Sequence, residues 1–323
     1  MAYSEFELIR LLSQESIKNR PDVMLGIGDD AALLNVPAGM QLVVSMDTLV
    51  HGVHFPESTT PYNIGFKSLA VNLSDMAAMG AEPAWATLSL TLPEADSDWL
   101  QEFCRGFFSL ANHFEVQLIG GDTTRGPLSA TVQMHGFVPE GQALRRDAAR
   151  VGDLIYVTGT LGDAGIALSL LGQEQNEIDH CYLLERLERP SPRIATGLML
   201  RSVAHAAIDI SDGLLADLQH ICQASGVGAT INVDALPLST AYKSVIALSD
   251  LDDPFSLPLS AGDDYELCFT VSPDNVSKLN QQENTALTCI GTIEHEAGLR
   301  CVFKDKEFLP SVKGYDHFSE LNT

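Results

Sequence analysis

Aspartate residues recur beside small residues at the ends of short apolar runs, and these carboxylates are the first candidates for chemistry. In the stretch 26–32, two glycines precede the adjacent carboxylates of Asp29 and Asp30. Similar combinations follow at Ser45-Met46-Asp47, Gly120-Gly121-Asp122, Asp209-Ile210-Ser211-Asp212-Gly213 and Gly262-Asp263-Asp264. Because glycine permits tight turns and close approach of a ligand, these five stretches predict a site built from strand ends.

The aspartates of this pattern form a donor set that contains only oxygen. Its members are Asp29, Asp30, Asp47, Asp75, Asp122, Asp209 and Asp212. Carboxylates without a thiolate or a histidine cluster select hard cations such as Mg²⁺, Ca²⁺ or Mn²⁺, and Mg²⁺ is usually held by a few carboxylates, waters and phosphates. A single Asp-rich loop also forms turns and helix caps. The recurrence favours metal-dependent phosphate chemistry.

Other familiar catalytic signatures are missing from the sequence. It has no P-loop, no HExxH zinc helix, no nucleophile elbow and no dinucleotide-binding G-x-G-x-x-G with a later ribose acid. The glycines at 159, 162 and 165 are typical of an ordinary strand-to-helix turn. His51 and His54 lie three residues apart without a thiolate near them, and His54 suits either a structural hydrogen bond or a ligand contact.

The composition limits the partners and the compartment. The formal charge of −24 argues against a basic face for nucleic acid and against an anionic membrane surface, although acidity also serves solubility. An anionic ligand such as a nucleotide would need metal ions between its phosphates and these carboxylates. The six cysteines include no C-x-x-C pair, and the sequence has neither a secretory signal nor a membrane-spanning run. We therefore expect reduced cysteines in a cytoplasmic protein.

Strands and helices alternate along the whole chain, which is typical of the α/β class. Helices are predicted over 4–16, 61–79, 97–114, 163–172, 181–188, 192–203 and 213–225. Strands are predicted over 23–27, 31–36, 41–46, 84–92, 116–119, 129–138, 154–158, 205–210 and 228–233. At 323 residues, two domains are the better expectation. The composition changes near residues 139–153, and we therefore predict domains at 1–148 and 149–323.

The most basic stretch of the chain lies at this boundary, over residues 145–150. It contains Arg145, Arg146 and Arg150 within six positions. Such a stretch is either a solvated linker or an arginine clamp for phosphate, because guanidinium matches phosphate oxygens in a bidentate fork. The sequence alone leaves both interpretations open.

Taken together, these motifs resemble the thiamine-monophosphate kinase family, within the superfamily of aminoimidazole ribonucleotide synthetase and selenophosphate synthetase. The blocks that carry the resemblance are GIGDDAA from Gly26, SMDTLVHGVHF from Ser45, NLSDMAAMGA from Asn72, GGDT from Gly120, DISDGL from Asp209 and GDDYEL from Gly262. The block around His51 to Phe55 separates this family from its superfamily relatives. The match extends from about Glu5 to Phe318.

The resemblance implies an ATP-dependent kinase that converts thiamine monophosphate to thiamine diphosphate with several Mg²⁺ ions. The implied metal ligands are Asp30, Ser45, Met46, Asp47, Asp75, Asp122, Asp209 and Asp212. Met46 stands where the family often has threonine, so its contact would come from the backbone carbonyl. The implied ATP contacts are Gly121, Asp122, Arg146 and Ser211, and the implied catalytic residues are Asp47, Asp122 and Arg146.

The resemblance also implies the substrate contacts and the assembly. His54, Asp263 and Phe318 are the implied contacts with thiamine monophosphate. Asp263 replaces a glutamate found in many members, and Tyr315 is the alternative aromatic. A homodimer is implied, formed by a ferredoxin-like N-terminal domain that builds a shared sheet or barrel, while the C-terminal α/β domain completes the active site. Two alternatives stay open: another ATP-dependent member of the superfamily with a different substrate, and a non-catalytic cation-binding protein.

Overall fold

The computed structural model describes Glu7, Leu12 and residues 20–172, 177–248, 253–279 and 285–310. The chain divides into two compact units. Unit 1 comprises Met1–Met76 and Ala81–Ala143, and unit 2 comprises Ala77–Gly80 and Leu144–Thr323. The helix predicted over 4–16 lies outside the described residues except for Glu7 and Leu12, and so do Tyr315 and Phe318.

Unit 1 contains a two-stranded antiparallel ribbon and a four-stranded sheet. Its elements are β1 (Val23–Leu25), β2 (Leu33–Leu34), β3 (Met40–Val50), α1 (Pro61–Ala78), β4 (Glu82–Leu92), α2 (Ser97–His113), β5 (Gln117–Arg125) and β6 (Ser129–Pro139). The strand order of the larger sheet is β3-β6-β4-β5, with β4 and β5 parallel and β6 antiparallel to β3 and β4. Its β-α-β-α-β-β order differs from the β-α-β-β-α-β order of a ferredoxin-like domain.

The two helices of unit 1 begin where the sequence offers capping groups and approach each other through glycines. The Asp96 carboxylate accepts hydrogen bonds from the Asp98 and Trp99 amides at the start of α2. A Cβ at Gly65 would lie 2.1 Å from the Phe103 carbonyl oxygen, and a Cβ at Gly106 would lie 1.9 Å from the Tyr62 carbonyl oxygen. Only glycine allows the backbones of α1 and α2 to lie this close.

Two strands of unit 1 are longer than the sequence predicts, and the extensions carry predicted site residues. Strand β3 continues from the predicted end at residue 46 to Val50 and therefore includes Asp47. Strand β5 continues through Gly120-Gly121-Asp122 to Arg125, so this motif lies inside a strand and not at its end. Pairing of β3 with β6 and of β5 with β4 extends the two strands. Local sequence does not signal such pairing, because strand formation depends on the neighbouring strand.

Unit 2 is built on a seven-stranded sheet of order β13-β12-β9-β11-β7-β10-β8. Its strands are β7 (Leu154–Thr158), β8 (Ala204–Asp209), β9 (Gly228–Asn232), β10 (Leu267–Val271), β11 (Leu287–Glu294), β12 (Gly298–Phe303) and β13 (Lys306–Phe308). Its helices are α3 (Asp163–Ser169), α4 (Glu177–Glu188), α5 (Ile194–Leu200), α6 (Leu214–Ser225), α7 (Thr240–Leu248), α8 (Ser256–Ser260) and α9 (Val276–Leu279). Among the described strands, β9 and β12 form the one parallel pair of this sheet.

Buried apolar side chains hold each unit together. In unit 1 the fully buried residues include Trp85, Phe103 and Phe107. In unit 2, Ile155, Ile208 and further residues of β7, β8 and α6 form a continuous cluster. Complete burial of one such side chain contributes about 1.5–3 kcal/mol. The expectation of two α/β domains is confirmed. In the part of the chain that the structure describes, no helix is long and apolar enough to cross a membrane.

Candidate active site

Ser45, Asp47 and Asp75 form the first group of predicted site residues in unit 1. The Ser45 hydroxyl donates a short hydrogen bond to Oδ2 of Asp75, which lies in α1. Asp47 follows Ser45 by two positions in β3, and residues two apart in a strand lie on the same face. This face of the sheet is therefore the one that α1 covers. Two of the predicted metal ligands, Ser45 and Asp75, are therefore in direct contact.

Asn72 and Met46 complete the description of this group. Asn72 lies three residues before Asp75 in α1, and its buried side-chain oxygen has no hydrogen-bond partner among the described residues. Met46 is 63% exposed, and its place between Ser45 and Asp47 directs its side chain to the opposite face. A metal contact at Met46 would have to come from its backbone carbonyl, which stays a prediction.

A tight turn after β3 fixes the imidazole of His54. The Val50 amide donates to Nδ1 of His54 at 3.0 Å, so in the neutral ring Nε2 carries the proton. The ammonium of Lys67, a buried residue of α1, donates to the His54 carbonyl oxygen at 3.4 Å. The turn itself requires Gly52 at a φ of +77°. His54 is thus held by side-chain and backbone contacts and presents an N–H donor at Nε2.

The second group of predicted site residues lines a cavity of about 740 Å³ in unit 1. Asp29, Asp30 and Asp122, the last of them in β5, are among its lining residues. The other lining residues are Leu12, Ile27, Gly28, Ala31, Ala32, Thr87, Leu88, Leu118, Ile119, Gly120, Gly121 and Thr123. The lining of the cavity therefore combines apolar residues with three carboxylates.

The sheet register separates Asp122 from Asp47 within one chain. Asp47 of β3 pairs with Val132 of β6, which pairs with Leu88 of β4, and Leu88 pairs in turn with Gly121 of β5. Gly121 is therefore on the same face of the sheet as Asp47. Asp122 therefore belongs to the alternate face, and β5 lies three strands away from β3, or about 14 Å. Among the described residues, no three His, Cys, Asp or Glu side chains form a preformed metal cluster. Unit 1 thus presents two separate groups of oxygen donors.

In unit 2, the segment after β8 carries Asp209, Ser211 and Asp212. Asp209 is the last residue of the strand and is buried. The backbone amides of Ser211 and Asp212 each donate to Oδ2 of Asp217 at 3.0 Å. Burial raises the pKa of Asp217 to about 7, against the lowering effect of the two amides and of the Arg146 charge. The segment is held by a buried carboxylate that sequence reasoning missed.

Arg146 lies in a short 3-10 turn that packs against α6. Its carbonyl oxygen accepts a hydrogen bond from the Ser225 hydroxyl at 2.8 Å, and the same hydroxyl accepts one from the Ala149 amide. Its neighbour Arg145 pairs with Asp147 instead, at 2.5 Å. Arg145, Arg146 and Arg150 are all exposed, and the charge of Arg146 lowers the pKa of Asp217.

The loop that carries Asp263 is bound to the same segment of unit 2. The Asp263 amide donates to the Ser211 carbonyl oxygen at 3.0 Å, and the Tyr265 amide donates to the Ile210 carbonyl oxygen at 2.8 Å. Asp263 and Tyr265 adopt left-handed backbone conformations, with φ of +68° and +47°. Such conformations are costly for residues other than glycine and persist where surrounding contacts enforce them.

A buried charged network supports this loop, and no sequence motif signalled it. Glu266 is fully buried and accepts hydrogen bonds from Thr158, Arg186 and Arg193 at 2.5–2.8 Å. Two residues earlier, both carboxylate oxygens of Asp264 accept a hydrogen bond from the Gly162 amide. In the sequence, the acids of the block GDDYEL (Asp263, Asp264 and Glu266) were the only indication of this network. The arginine partners come from α4 and the start of α5.

Comparisons with known proteins identify the family. The family models for the AIR synthase related protein match residues 28–138 with the N-terminal domain and residues 150–304 with the C-terminal domain. A thiamine-monophosphate kinase from Salmonella typhimurium is 49% identical, with 99% of each chain covered. The chain belongs to the thiamine-monophosphate kinase family. The resemblance of the six sequence blocks is thereby confirmed.

Solved structures of the family agree with this fold. The crystal structure of a thiamine-monophosphate kinase from Stenotrophomonas maltophilia has a TM-score of 0.85 at 50% identity, covering 93% of this chain and 97% of that one. AaThiL complexed with AMPPCP and TMP has a TM-score of 0.78 at 33% identity, covering 97% of each chain. Both similarities extend over nearly the full length of each protein.

Proposed function

We propose that this protein transfers the γ-phosphoryl group of ATP to thiamine monophosphate and forms thiamine diphosphate. The oxygen donors of unit 1, above all the Ser45 hydroxyl and the carboxylates of Asp47 and Asp75, carry the proposal because they suit phosphate chemistry through hard cations. The family relatives are thiamine-monophosphate kinases, and AaThiL was solved with AMPPCP and TMP. AMPPCP is an analogue of ATP, and TMP is the abbreviation of thiamine monophosphate.

The donor chemistry of these residues fits Mg²⁺. The first group offers a hydroxyl and two carboxylates, and the unpartnered buried oxygen of Asn72 lies one helical turn from Asp75. Ser45, Asp47, Asp75 and the Met46 carbonyl would hold metal in β3 and α1, and Asp30 and Asp122 would hold it at the cavity. Asp209 and Asp212 would do so in unit 2. When bound, Mg²⁺ would neutralise the charge spread over the transferring phosphoryl group.

The remaining residues bind and orient the two substrates. Gly121 and Asp122 line the cavity, and Gly121 is exposed there. Arg146 offers a guanidinium and Ser211 a hydroxyl to phosphate oxygens. His54 presents its Nε2 proton to the acceptor, and the Asp263 carboxylate suits the cationic thiazolium ring. Phe318, or alternatively Tyr315, stays the predicted aromatic contact.

Direct in-line transfer without a phosphoenzyme follows from the acceptor. Thiamine monophosphate is a phosphate monoester with a second pKa near 6, so its oxygen is largely ionised at neutral pH and needs no strong general base. The difficulty is the approach of two anions, which the positive charge of Arg146 and of Mg²⁺ held by the aspartates would relieve. Incubation with γ-labelled ATP is therefore expected to label thiamine diphosphate and leave the protein unlabelled. A stable labelled protein would contradict direct transfer.

The experiment that tests the function is product formation from thiamine monophosphate and ATP, followed by phosphorus NMR, with Mg²⁺ and with EDTA. We expect thiamine diphosphate only with the metal, and a loss of about 10³-fold or more in kcat for Asp47→Asn. Asp96→Asn is the matched control because asparagine caps helix α2 as well as aspartate does. If ATP is bound while thiamine monophosphate stays unchanged, the substrate belongs to another member of the superfamily.

A homodimer and a cytoplasmic location complete the proposal. Leu42, Val44 and Met46 lie on one face of edge strand β3 and are 43–63% exposed. An apolar face beside an unpaired strand edge is typical of a surface covered by a partner, so a second copy of this chain is the proposed occupant. The six cysteines all lie in the described part of the chain and form no disulfide there, which supports a reducing compartment.

A further inference from the structure

Asp217 is a buried acid for which the proposed reaction assigns no role. It lies in the first turn of α6 and is 3% exposed. Burial of a carboxylate is costly unless hydrogen bonds compensate it. In this case the compensation comes from the backbone of the two residues that the proposed function assigns to the nucleotide and its metal.

The hydrogen bonds of Asp217 fix the segment between β8 and α6. One carboxylate oxygen accepts the amides of both Ser211 and Asp212 at 3.0 Å. On the other side, the Ser211 carbonyl oxygen accepts the Asp263 amide at 3.0 Å. Both polar groups of the Ser211 backbone are therefore engaged, so the direction of its side chain is set by contacts from two different elements.

Close packing adds a steric limit to this arrangement. A Cβ at Gly213 would lie 2.6 Å from the Ser260 carbonyl oxygen, and a Cβ at Gly262 would lie 2.3 Å from that of Ser211. The segment cannot shift toward the 260–266 loop without a collision. Loss of the Asp217 carboxylate would leave the amides of Ser211 and Asp212 without this acceptor.

We propose that Asp217 is a positioning residue whose carboxylate holds the backbone of Ser211 and Asp212 so that their side chains meet the phosphates of ATP and a bound metal. This inference rests on the proposed function. It predicts that removal of the acceptor weakens nucleotide binding selectively, whereas a purely structural role of Asp217 would lower stability and affect both substrates alike.

The test compares Asp217→Ala, Asp217→Asn and a matched control in the holoenzyme. Asn keeps an oxygen that can accept both amides, and Ala keeps none. Asp153→Ala is the control, because Asp153 is equally buried and also accepts a backbone amide, from Arg150. Each variant is measured for calorimetric binding of AMPPCP with Mg²⁺, for KM of ATP and of thiamine monophosphate, and for Tm.

For Asp217→Ala we expect AMPPCP binding and the KM of ATP to weaken about tenfold, as the loss of one or two hydrogen bonds predicts. The KM of thiamine monophosphate should change less than about threefold, and Asp217→Asn should recover most of the loss. Equal nucleotide binding in Asp217→Ala and the wild type, or parallel changes for both substrates as in the control, would overturn the inference. Absence of turnover in the wild type would overturn the proposed function instead.

Discussion

At the scale of single residues, the glycines of the site motifs act through the space they leave. Gly121 has a φ of +154°, and a Cβ there would lie 1.8 Å from the Leu88 carbonyl oxygen. The parallel pairing of β4 and β5 is possible only because this position lacks a side chain. Since Asp122 follows directly, the same glycine determines where that carboxylate stands on the strand.

Gly121→Ala is therefore expected to destabilise the protein by at least about 2 kcal/mol, because the new methyl group collides with the backbone of β4. Urea unfolding measures the effect. Gly141→Ala is the matched control: Gly141 also has a positive φ, of +74°, but nothing lies within 4 Å of its Cβ position. An equal loss of stability in both variants would show that backbone conformation, and not the contact with Leu88, causes the effect.

At the scale of elements, the loop 260–266 contains buried acidic side chains whose hydrogen-bond and ion-pair partners lie in other elements. Arg186 of α4 and Arg193 beside α5 neutralise Glu266, while Asp264 receives only the Gly162 amide as a direct donor to its carboxylate among the described contacts. Burial raises the pKa of Asp264 well above its ordinary value of 3.8. At pH values between 3.8 and this raised pKa, the folded protein therefore binds a proton at Asp264 that the unfolded chain has lost.

This difference predicts a pH dependence of stability. Because the folded state binds more protons, the contribution of Asp264 to the unfolding free energy falls as pH rises from 3.8 through the raised pKa, by up to about 1.4 kcal/mol per pH unit. In Asp264→Asn this contribution is absent, so the variant should lose less stability than the wild type as pH rises from 3.8 toward the raised pKa. Urea unfolding at several pH values measures it.

The exposed Asp274 provides the control for that experiment, since Asp274→Asn also removes one acidic charge from unit 2. The altered slope should occur only in the Asp264 variant. If wild type and Asp264→Asn give parallel curves of unfolding free energy against pH, Asp264 is ionised in the folded protein and our account of this network is wrong.

At the scale of the whole molecule, the chain is strongly acidic, and strand β3 in its described part exposes an apolar face. The formal charge is −24, which keeps copies apart at long range. The face formed by Leu42, Val44 and Met46 opposes this repulsion locally because its burial removes apolar surface from water. We expect association through β3 to depend on this face and to become stronger as salt screens the charge.

Val44→Lys is expected to convert the proposed dimer to a monomer, because the substitution places a charge in the centre of the apolar face. Sedimentation velocity measures the change. Leu168→Lys is the matched control, since Leu168 is similarly exposed, at 54% compared with 48% for Val44, but lies in α3 of unit 2. A wild-type protein that sediments as a monomer would contradict the homodimer, and a dimeric Val44→Lys would place the interface elsewhere.

The sequence by itself determined the alternation of elements, the family and the candidate residues. Helix α1, for example, was predicted over 61–79 and spans Pro61–Ala78, and strand β7 was predicted at its observed bounds. Local periodicity and turn residues contain this information because helices and strands bury one face at a fixed spacing. The aspartate motifs were recognisable for the same reason: short-range residue types signal a site before any fold is known.

Only the tertiary structure decided which of these residues share a face and what holds them. The register of four strands placed Asp47 and Asp122 on opposite faces, and hydrogen bonds over long sequence distances brought Glu266 to Thr158 and to Arg186. Asp217 became visible as the acceptor of two amides only when α6 was placed after β8. Such contacts depend on side-chain packing between distant segments, for which a single sequence contains no local signal.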